Sequence, residues 1–549
     1  MMRKLLTQSE FRLLWVVALF PAITGLPALA QTGPSPSAPG IYRIAGTVIN
    51  AVTGEPVRRA TVTAETGDDY HAVASAETDN EGHFALEGLP AAKYPLTASR
   101  SGFRTALYDE HDGLNTAIVT GPDQDTGNLV FRLTPGSVLR GVVTGDGGDP
   151  VEGEQVMLFL KPHTHNPGDR IRQAGTTTTD DTGAYEFPNL APGEYLLAVK
   201  ADPWYAMHPS GSGSDLRPSN DAAAALDVAY PVTYFDSVTD DAAASTIVLA
   251  GGNRETANLN LHAVPALRVE IAAAPSAGGA FLTQSIVGLP VSMQMGSSTN
   301  SKPGGTIQMT GVAPGHYELM QGDPPRIVDL DLTSSQQIEA NAGTATVAVS
   351  GTLVIPSGSA LAGNALVALN SADPGQPTAM LPTSSTGGSF SFVSVPPGAW
   401  ELSVESPTGP LPVASIATGG RNQAGNQITV KDRPLSIVVT VSQGETRVEG
   451  FARKADKGAA GVMIVLVPAN KSAIPSLMRR DQSDSDGSFS LRNVVPGQYT
   501  VVAIEDGWEL DWARPEVIGR YLPGGVAVTV TDTSGKLVKL DRPVPVQAH

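Results

Sequence analysis

Thr179-Asp180-Asp181-Thr182-Gly183-Ala184-Tyr185-Glu186-Phe187, followed closely by Leu190-Ala191-Pro192-Gly193-Glu194-Tyr195-Leu196-Leu197-Ala198-Val199, is the stretch on which the fold turns. An acidic turn ends in Gly183. Tyr185 and Phe187 then alternate with small or polar residues, Pro192-Gly193 interrupts, and Tyr195, Leu197 and Val199 resume the alternation. Apolar residues at every second position mark a strand with one buried face. The Pro-Gly step reads as a turn that reverses the chain, because Pro presets its φ and Gly accepts the positive φ that follows. A β-meander is expected.

The same pattern recurs along the chain. The first copy is Thr78-Asp79-Asn80-Glu81-Gly82-His83-Phe84-Ala85-Leu86, then Gly88-Leu89-Pro90-Ala91-Ala92-Lys93-Tyr94. Degenerate copies follow at Gly305, Ile307, Met309, Val312, Pro314-Gly315 and Tyr317, and at Gly388, Phe390, Phe392, Val395, Pro397-Gly398 and Trp400. The last copy is Asp486-Gly487, Phe489, Leu491, Val494, Pro496-Gly497 and Tyr499. In each, an aromatic stands two residues after the second Gly position, which is Ala92 in the first copy. Such self-similarity is the mark of a repeat architecture.

Upstream of four copies lies a glycine-containing strand: Ile44-Ala45-Gly46-Thr47-Val48, Leu139-Arg140-Gly141-Val142-Val143, Val349-Ser350-Gly351-Thr352-Leu353 and Val448-Glu449-Gly450-Phe451. The third copy has only Leu267-Arg268-Val269 there. About seven strands per unit predict a small sandwich. The fold class expected is all-β, a tandem array of about five antiparallel β-sandwich domains. Their spans are 42–136, 137–265 with a long insertion over 201–240, 266–345 in degenerate form, 346–444 and 445–549. Short linkers such as Thr134-Pro135-Gly136 suggest semi-rigid beads.

Composition agrees. The 549 residues include 58 Gly, 43 Pro and no Cys, with 41% hydrophobic and 16% charged residues, which excludes general disorder, collagen and coiled coil. Met1–Ala30 reads as a secretory signal peptide: Arg3, Lys4 and Arg12 form the positive end, Leu13–Phe20 the apolar run and Ala28-Leu29-Ala30 the cleavage site. A Pro/Ser/Gly linker over 31–41 follows. No later apolar run is long enough to span a membrane. The product is therefore expected to be exported, periplasmic or extracellular, with no integral span after cleavage. The net charge of −18 and the lack of a basic run after the leader argue against nucleic acid as partner.

The Gly-Thr-Val strand, the Gly54-Glu55-Pro56-Val57 turn, Thr-Asp-x-x-Gly-x-Phe-x-Leu and Pro-Gly-x-Tyr resemble the carboxypeptidase regulatory-like domain. The resemblance implies a transthyretin-like sandwich, also classed with carbohydrate-binding-like folds, that serves as an accessory module in exported bacterial proteins. Related Cna-B-type sandwiches carry a Lys in the first strand for an isopeptide cross-link; here that strand has Arg43, Arg140 and Arg447. No peptidase is implied, since none of the nine His is followed at the third position by Glu. His-Glu-x-x-His and Gly-x-Ser-x-Gly are absent too.

No catalytic residue, cofactor or metal site is expected. Asp79-Asn80-Glu81-Gly82, Asp180-Asp181-Thr182-Gly183 and Asp484-Ser485-Asp486-Gly487 have the alternating oxygen ligands that suit calcium. They equally suit hairpin turns, and copies three and four keep the Gly without the acids. His163-Thr164-His165 forms at most half of a zinc or nickel site and reads as an exposed loop. Phe103, Trp204 and Trp508 stand at one repeat position, which favours a structural role. Exposed aromatic faces stack on sugar rings, so the clusters Trp204, Tyr205, Tyr230 and Tyr234, and Trp508, Trp512 and Tyr521, are the candidate ligand-binding residues, weighed against core packing. The expectation is a non-catalytic binding or spacer scaffold whose partner is a polysaccharide or an envelope or extracellular protein. The alternatives are a dedicated carbohydrate-binding protein and an unrecognised hydrolase in Ala201–Pro265 or in copy three.

Overall fold

A glycine facing a ring sets the register of four of the five modules. The computed structural model describes residues 41–549 apart from 67–70, 165–169, 209–224, 273–279, 296, 299–305, 323–324, 340, 356–357, 359, 362, 373–379, 408, 443–445, 470–474 and 532–536. The expected leader, linker residues 31–40, Gly305, His165 and the middle of the long insertion lie outside the described residues. The opening strands Tyr42–Asn50, Ser137–Thr144, Val347–Val354 and Arg447–Lys454 pair antiparallel with the strand that follows the acidic turn. Gly46, Gly141, Gly351 and Gly450 then lie opposite Phe84, Tyr185, Phe390 and Phe489. A Cβ on Gly351 would stand 2.4 Å from the Phe390 ring, and one on Gly450 2.8 Å from the Phe489 ring. In the third module Ile271 faces Ile307 instead.

The acidic turn is equally repetitive. Gly82, Gly183, Gly388 and Gly487 have φ of 77°, 74°, 81° and 84°. That backbone favours glycine, and each glycine carbonyl accepts from the opening strand, at Val48, Val143, Leu353 and Ala452 N–H.

The Pro-Gly step is not the hairpin expected from its composition. Ala184–Leu190 lies in one sheet with Ser137–Thr144, whereas Gly193–Lys200 lies in the other with Gln155–Leu160. The step is a corner between sheets, and a ring holds it. Tyr94, Tyr195, Tyr317 and Tyr499 hydroxyls donate to the carbonyls of Pro90, Ala191, Ala313 and Val495 at 3.0, 2.8, 2.9 and 2.8 Å. Trp400 Nε1 donates to the Pro396 carbonyl at 3.0 Å. Every bond reaches back four residues, in the manner of the tyrosine corner of immunoglobulin-like sandwiches. The rings themselves are buried between the sheets. The glycine matters here because Gly497 lies under the Tyr499 ring, where a Cβ would come within 3.1 Å.

Each opening strand also pairs in parallel with a closing strand: Leu129–Leu133, Arg254–Thr256 with Leu259–Asn260, Gln336–Ile338, Leu435–Val441, and Leu537–Lys539 with Val544–Gln547. Each of the five modules is thus a β-sandwich around its own apolar core; in the fifth, Val544–Gln547 pairs with both Arg447–Lys454 and Gly497–Ile504 and joins the two layers into one nine-stranded sheet. At about 25 cal/mol per Å² of buried apolar surface, these cores supply the main stabilisation in a chain without disulfides.

Several strands break the alternation, and two of them lie at the contacts between modules. Gln155–Leu160 and Met463–Pro468 are buried on both faces, as near-continuous apolar runs are when both sides of a sheet are covered. In the second module Val232 and Tyr234 of the long insertion cover the outer face, joined by Ile286 of the third module. In the fifth, Trp508, Ala513 and Ile518 do so, with Leu114 of the first module packed against them.

The corner bond can be tested in one module. Tyr499→Phe should cost about 1 kcal/mol, the net worth of one hydrogen bond, and Tyr499→Ala about 3–5 kcal/mol. Amide hydrogen exchange of the Gly497–Ile504 strand in the full chain reads both; equal protection in all three proteins would mean that the ring does not hold the corner.

Candidate functional site

The seven candidate aromatics do not form two exposed clusters. Trp204 is 89% exposed, with its ring edge-on to Tyr205 at 5.7 Å between centroids. Tyr230 and Tyr234 are buried, the first in the core of module two and the second against the outer face of its second sheet. Burial also pushes the Tyr230 hydroxyl up to about 12, with the neighbouring Tyr205 and Asp146 adding to the shift. Trp508 is buried and its face is stacked on His111 of module one, 4.7 Å between centroids and 8° between planes. The Arg480 guanidinium covers Trp512 at 4.6 Å from the ring centre, and Tyr521 packs against the same satellite core. Of the seven, Trp204 is the one whose face lies largely open; the other rings serve packing, because a sheet covered on both sides needs large apolar lids.

His111 belongs to a clasp that joins the first module to the last. Gln482, 1% exposed, donates through Nε2 to the Asp109 carbonyl and to Thr116 Oγ1, while its Oε1 lies 3.2 Å from His111 Nδ1. Asp112 gathers Arg480 of module five at 2.9 Å and His163 of module two at 3.2 Å. Lys93 reaches Asp484 at 2.6 Å. Backbone groups join as well, with Ser485 N–H donating to the Ala117 carbonyl and Val119 N–H to Ser485 Oγ. The partners from modules one and five lie 366 to 391 residues apart in the chain. The array therefore closes on itself, where short linkers alone suggested a row of beads.

A cleft of about 460 Å³ opens beside the clasp, lined by Lys93, Leu114, Arg480, Asp481, Asp484 and Arg492 among others. Asp481 accepts from the backbone N–H of Ser490 and of Gln482. Burial nevertheless raises its carboxyl to about 7, with the like charge of Asp484 adding to the shift and Lys93 opposing it. Asp484 is raised too, by burial, although Lys93 and the Ala117 N–H favour its charged form.

The acidic turns hold their carboxylates on the backbone. Asp79 Oδ1 accepts from Glu81 and His83 N–H, and Asp180 Oδ1 from Thr182 and Ala184 N–H. The Thr182 hydroxyl and these amides keep the Asp180 carboxyl below its usual range. Asp484, at the same repeat position, accepts from Ser488 Oγ of its own turn at 3.2 Å and also serves the clasp. Its Oδ1 accepts from Ala117 N–H at 3.2 Å and its Oδ2 from Lys93. Among the described residues no group of three or more His, Asp or Glu side chains is arranged to hold a metal ion.

The long insertion carries a buried ion pair that the sequence did not single out. Arg268, in the third opening strand Leu267–Ala272, is 1% exposed and meets Asp227 at 2.7 Å. His208 Nδ1 lies 3.1 Å from the same carboxylate. The far side of the His208 ring presses on the Gly311 backbone, where a Cβ would come within 2.6 Å. A hydrolase would need a nucleophile on that side. The trio instead pins module two to module three.

Asp481 gives the clasp a pH dependence. The folded state holds its proton to about pH 7, whereas the ordinary value is 3.8. An acid shifted upward stabilises below the unfolded value and loses that contribution as pH rises through the folded value. Melting of module five should fall between about pH 4 and pH 7, and Asp481→Asn should flatten the slope; an equally steep profile in the variant would assign it to another group.

Two family models agree with this architecture. The family model described as carboxypeptidase regulatory-like domain matches residues 43–134 and 138–208, and that of the BOS complex subunit NOMO1-like second beta sandwich domain matches 443–519. A serine-aspartate repeat-containing protein F of Staphylococcus epidermidis is 26% identical over 184 residues, which are 31% of this chain and 11% of that protein. The chain thus spans about a tenth of the length of the curated relatives it matches. Among solved structures, the Bacillus anthracis TIE protein overlays with a TM-score of 0.17 at 12% identity, covering 75% of this chain and 76% of that one. A streptococcal ancillary pilin gives 0.18 at 12% identity, covering 55% and 99%. The shaft pilin SpaA from Lactobacillus rhamnosus GG gives 0.19 at 9% identity, covering 41% and 97%. With matching domain models at both ends and the same corner in every module, the chain is a tandem β-sandwich repeat protein whose first two modules match the carboxypeptidase regulatory-like domain over residues 43–134 and 138–208.

Proposed function

We propose that this chain is an exported, non-catalytic binding scaffold that works in the periplasm or outside the cell. The observation that supports it is the clasp. Its chemistry-bearing side chains, Gln482, Asp112, His163, Arg480, Lys93 and Asp484, are engaged in holding modules one, two and five together. Groups held in this way position modules and leave none of them poised as a nucleophile-base pair. The closed ends favour binding over spacing, since a spacer gains reach by keeping its ends apart. Among the described residues no helix is long and apolar enough to cross a membrane.

The double variant Arg480→Glu, Gln482→Glu sets new negative charges against Asp112 and Asp109. Small-angle scattering should show a larger radius of gyration than for the parent chain, and neither protein should turn over ester, glycoside or peptide substrates. An unchanged radius would remove the clasp from the account, and turnover by the parent chain would replace the scaffold with an enzyme.

A second reading has one observation of its own. The open face of Trp204 beside Tyr205 suits stacking on a sugar ring. Retention of the chain on a polysaccharide matrix, lost in Trp204→Ala, is the outcome expected of it. Equal retention of the two proteins, or of neither, ends that reading.

A further inference from the structure

Modules two and three meet along a cleft of about 780 Å³ that is separate from the clasp. Module two contributes the short 3-10 helix Asp241–Ala243 with its cap Asp240, and also His262 and Val264. Module three contributes Pro314, His316 and Asp331. The volume falls in the range of small-ligand sites, about 300–1,000 Å³. The three carboxylates and both imidazoles belong to exposed residues, so a ligand can approach them from solvent.

The cleft is negative. Among the described residues no Lys or Arg lines it. His316 Nδ1 lies 2.8 Å from Asp331 Oδ1, and His262 Nδ1 lies 2.8 Å from Asp146 Oδ1, so each imidazole faces a carboxylate. Asp240 Oδ1 accepts from the Ala242 N–H at 3.0 Å, whereas the Asp241 side chain has no partner among the described residues. The field reaches the buried wall: burial raises the Tyr234 hydroxyl, and the charges of Asp241 and Asp240 add to that rise. A cleft lined by one sign of charge concentrates ligands of the opposite sign.

A second feature is independent of charge. Gln284 lies on the strand Phe281–Ile286, at the buried position between Leu282 and Ile286. Leu282 enters the core of module three, and Ile286 the apolar cluster shared with module two. Gln284 itself is 6% exposed and lines both the cleft and an adjoining cavity of about 110 Å³. Among the described residues its carboxamide makes no hydrogen bond, yet neither of its polar atoms is sealed from solvent. Its Nε2 would stand 3.5 Å from a Cβ on Gly315, which forms part of the cleft wall. Buried polar groups are nearly always satisfied, so an amide that is unpaired but reachable points to a ligand. A carboxamide both donates and accepts, and another amide answers both needs.

We infer that the cleft between modules two and three binds a basic peptide segment, with Lys or Arg side chains held by Asp240, Asp241 and Asp331 and a backbone amide paired with Gln284. The partly exposed Val264 and Pro314 offer apolar surface to the stems of such side chains. The site lies apart from the clasp, so its failure would leave the closed scaffold standing.

The test is calorimetric titration of the full chain with acetyl-Val-Lys-Val-Lys-Val-amide, with the same peptide carrying Glu in place of Lys, and with cadaverine, which has the same two charges and no amide. The lysine peptide should bind in the millimolar range or tighter, and the other two probes about ten-fold more weakly or not at all. A chain of net charge −18 attracts cations over its whole surface, so two variants locate the binding. Gln284→Leu suits its apolar neighbours and retains the fold; it should weaken the lysine peptide about ten-fold and leave cadaverine unchanged. Asp241→Asn combined with Asp331→Asn alters exposed side chains alone and should weaken both cations about five-fold. Equal affinity for the lysine and glutamate peptides, cadaverine as tight as the lysine peptide, unchanged binding in both variants, or no heat with about 10 mM lysine peptide would overturn the assignment.

Discussion

A ring donating across the corner to a carbonyl four residues back is the contact on which each module depends. It satisfies a backbone oxygen where the chain leaves one sheet for the other, a place without ladder partners. It also places the ring body between the layers, where the apolar faces of both sheets meet. The opening-strand glycine is required by close approach: in modules four and five a side chain there would collide with the ring after the acidic turn, and in modules one and two with the backbone of Leu129 and Ala257. Both contacts are local, so every module can form them whatever its neighbours do.

What distinguishes the modules is the outer face of the second sheet. In module one Thr61–Thr66 alternates and its polar side chains face outward. In modules two and five the equivalent strands are apolar throughout, and material from elsewhere in the chain covers them. The continuous run Met463-Ile464-Val465-Leu466-Val467 thus records a neighbour as much as a core. It explains why Trp508 lies beneath a lid and stacks on His111 instead of facing solvent.

The sandwich class and the repeat were legible because period-two alternation and the Gly spacing survive in the sequence of each copy. The role of the Pro-Gly step was not. A Pro-Gly pair satisfies a hairpin and a corner equally well, and only the division of Ala184–Leu190 and Gly193–Lys200 between two sheets separates them. The aromatic residues were legible as a short list but not in their exposure, since alternation shows which side of a strand a ring occupies and not what stands on that side. Arg268 illustrates the same limit. Nothing in the sequence singled it out, because its role depends on Asp227, a residue of the insertion.

The sequence by itself determined the β-sandwich, the number of modules and the backbone of every acidic turn, because the contacts that enforce them lie within short spans and repeat. Tertiary structure decided that the first and last modules meet and that Asp484 reaches Lys93 as well as its own turn. These depend on partners hundreds of residues apart or in the next module. Chain periodicity carries no information about such pairings, because they arise only when whole sandwiches pack and exclude water from the surfaces between them.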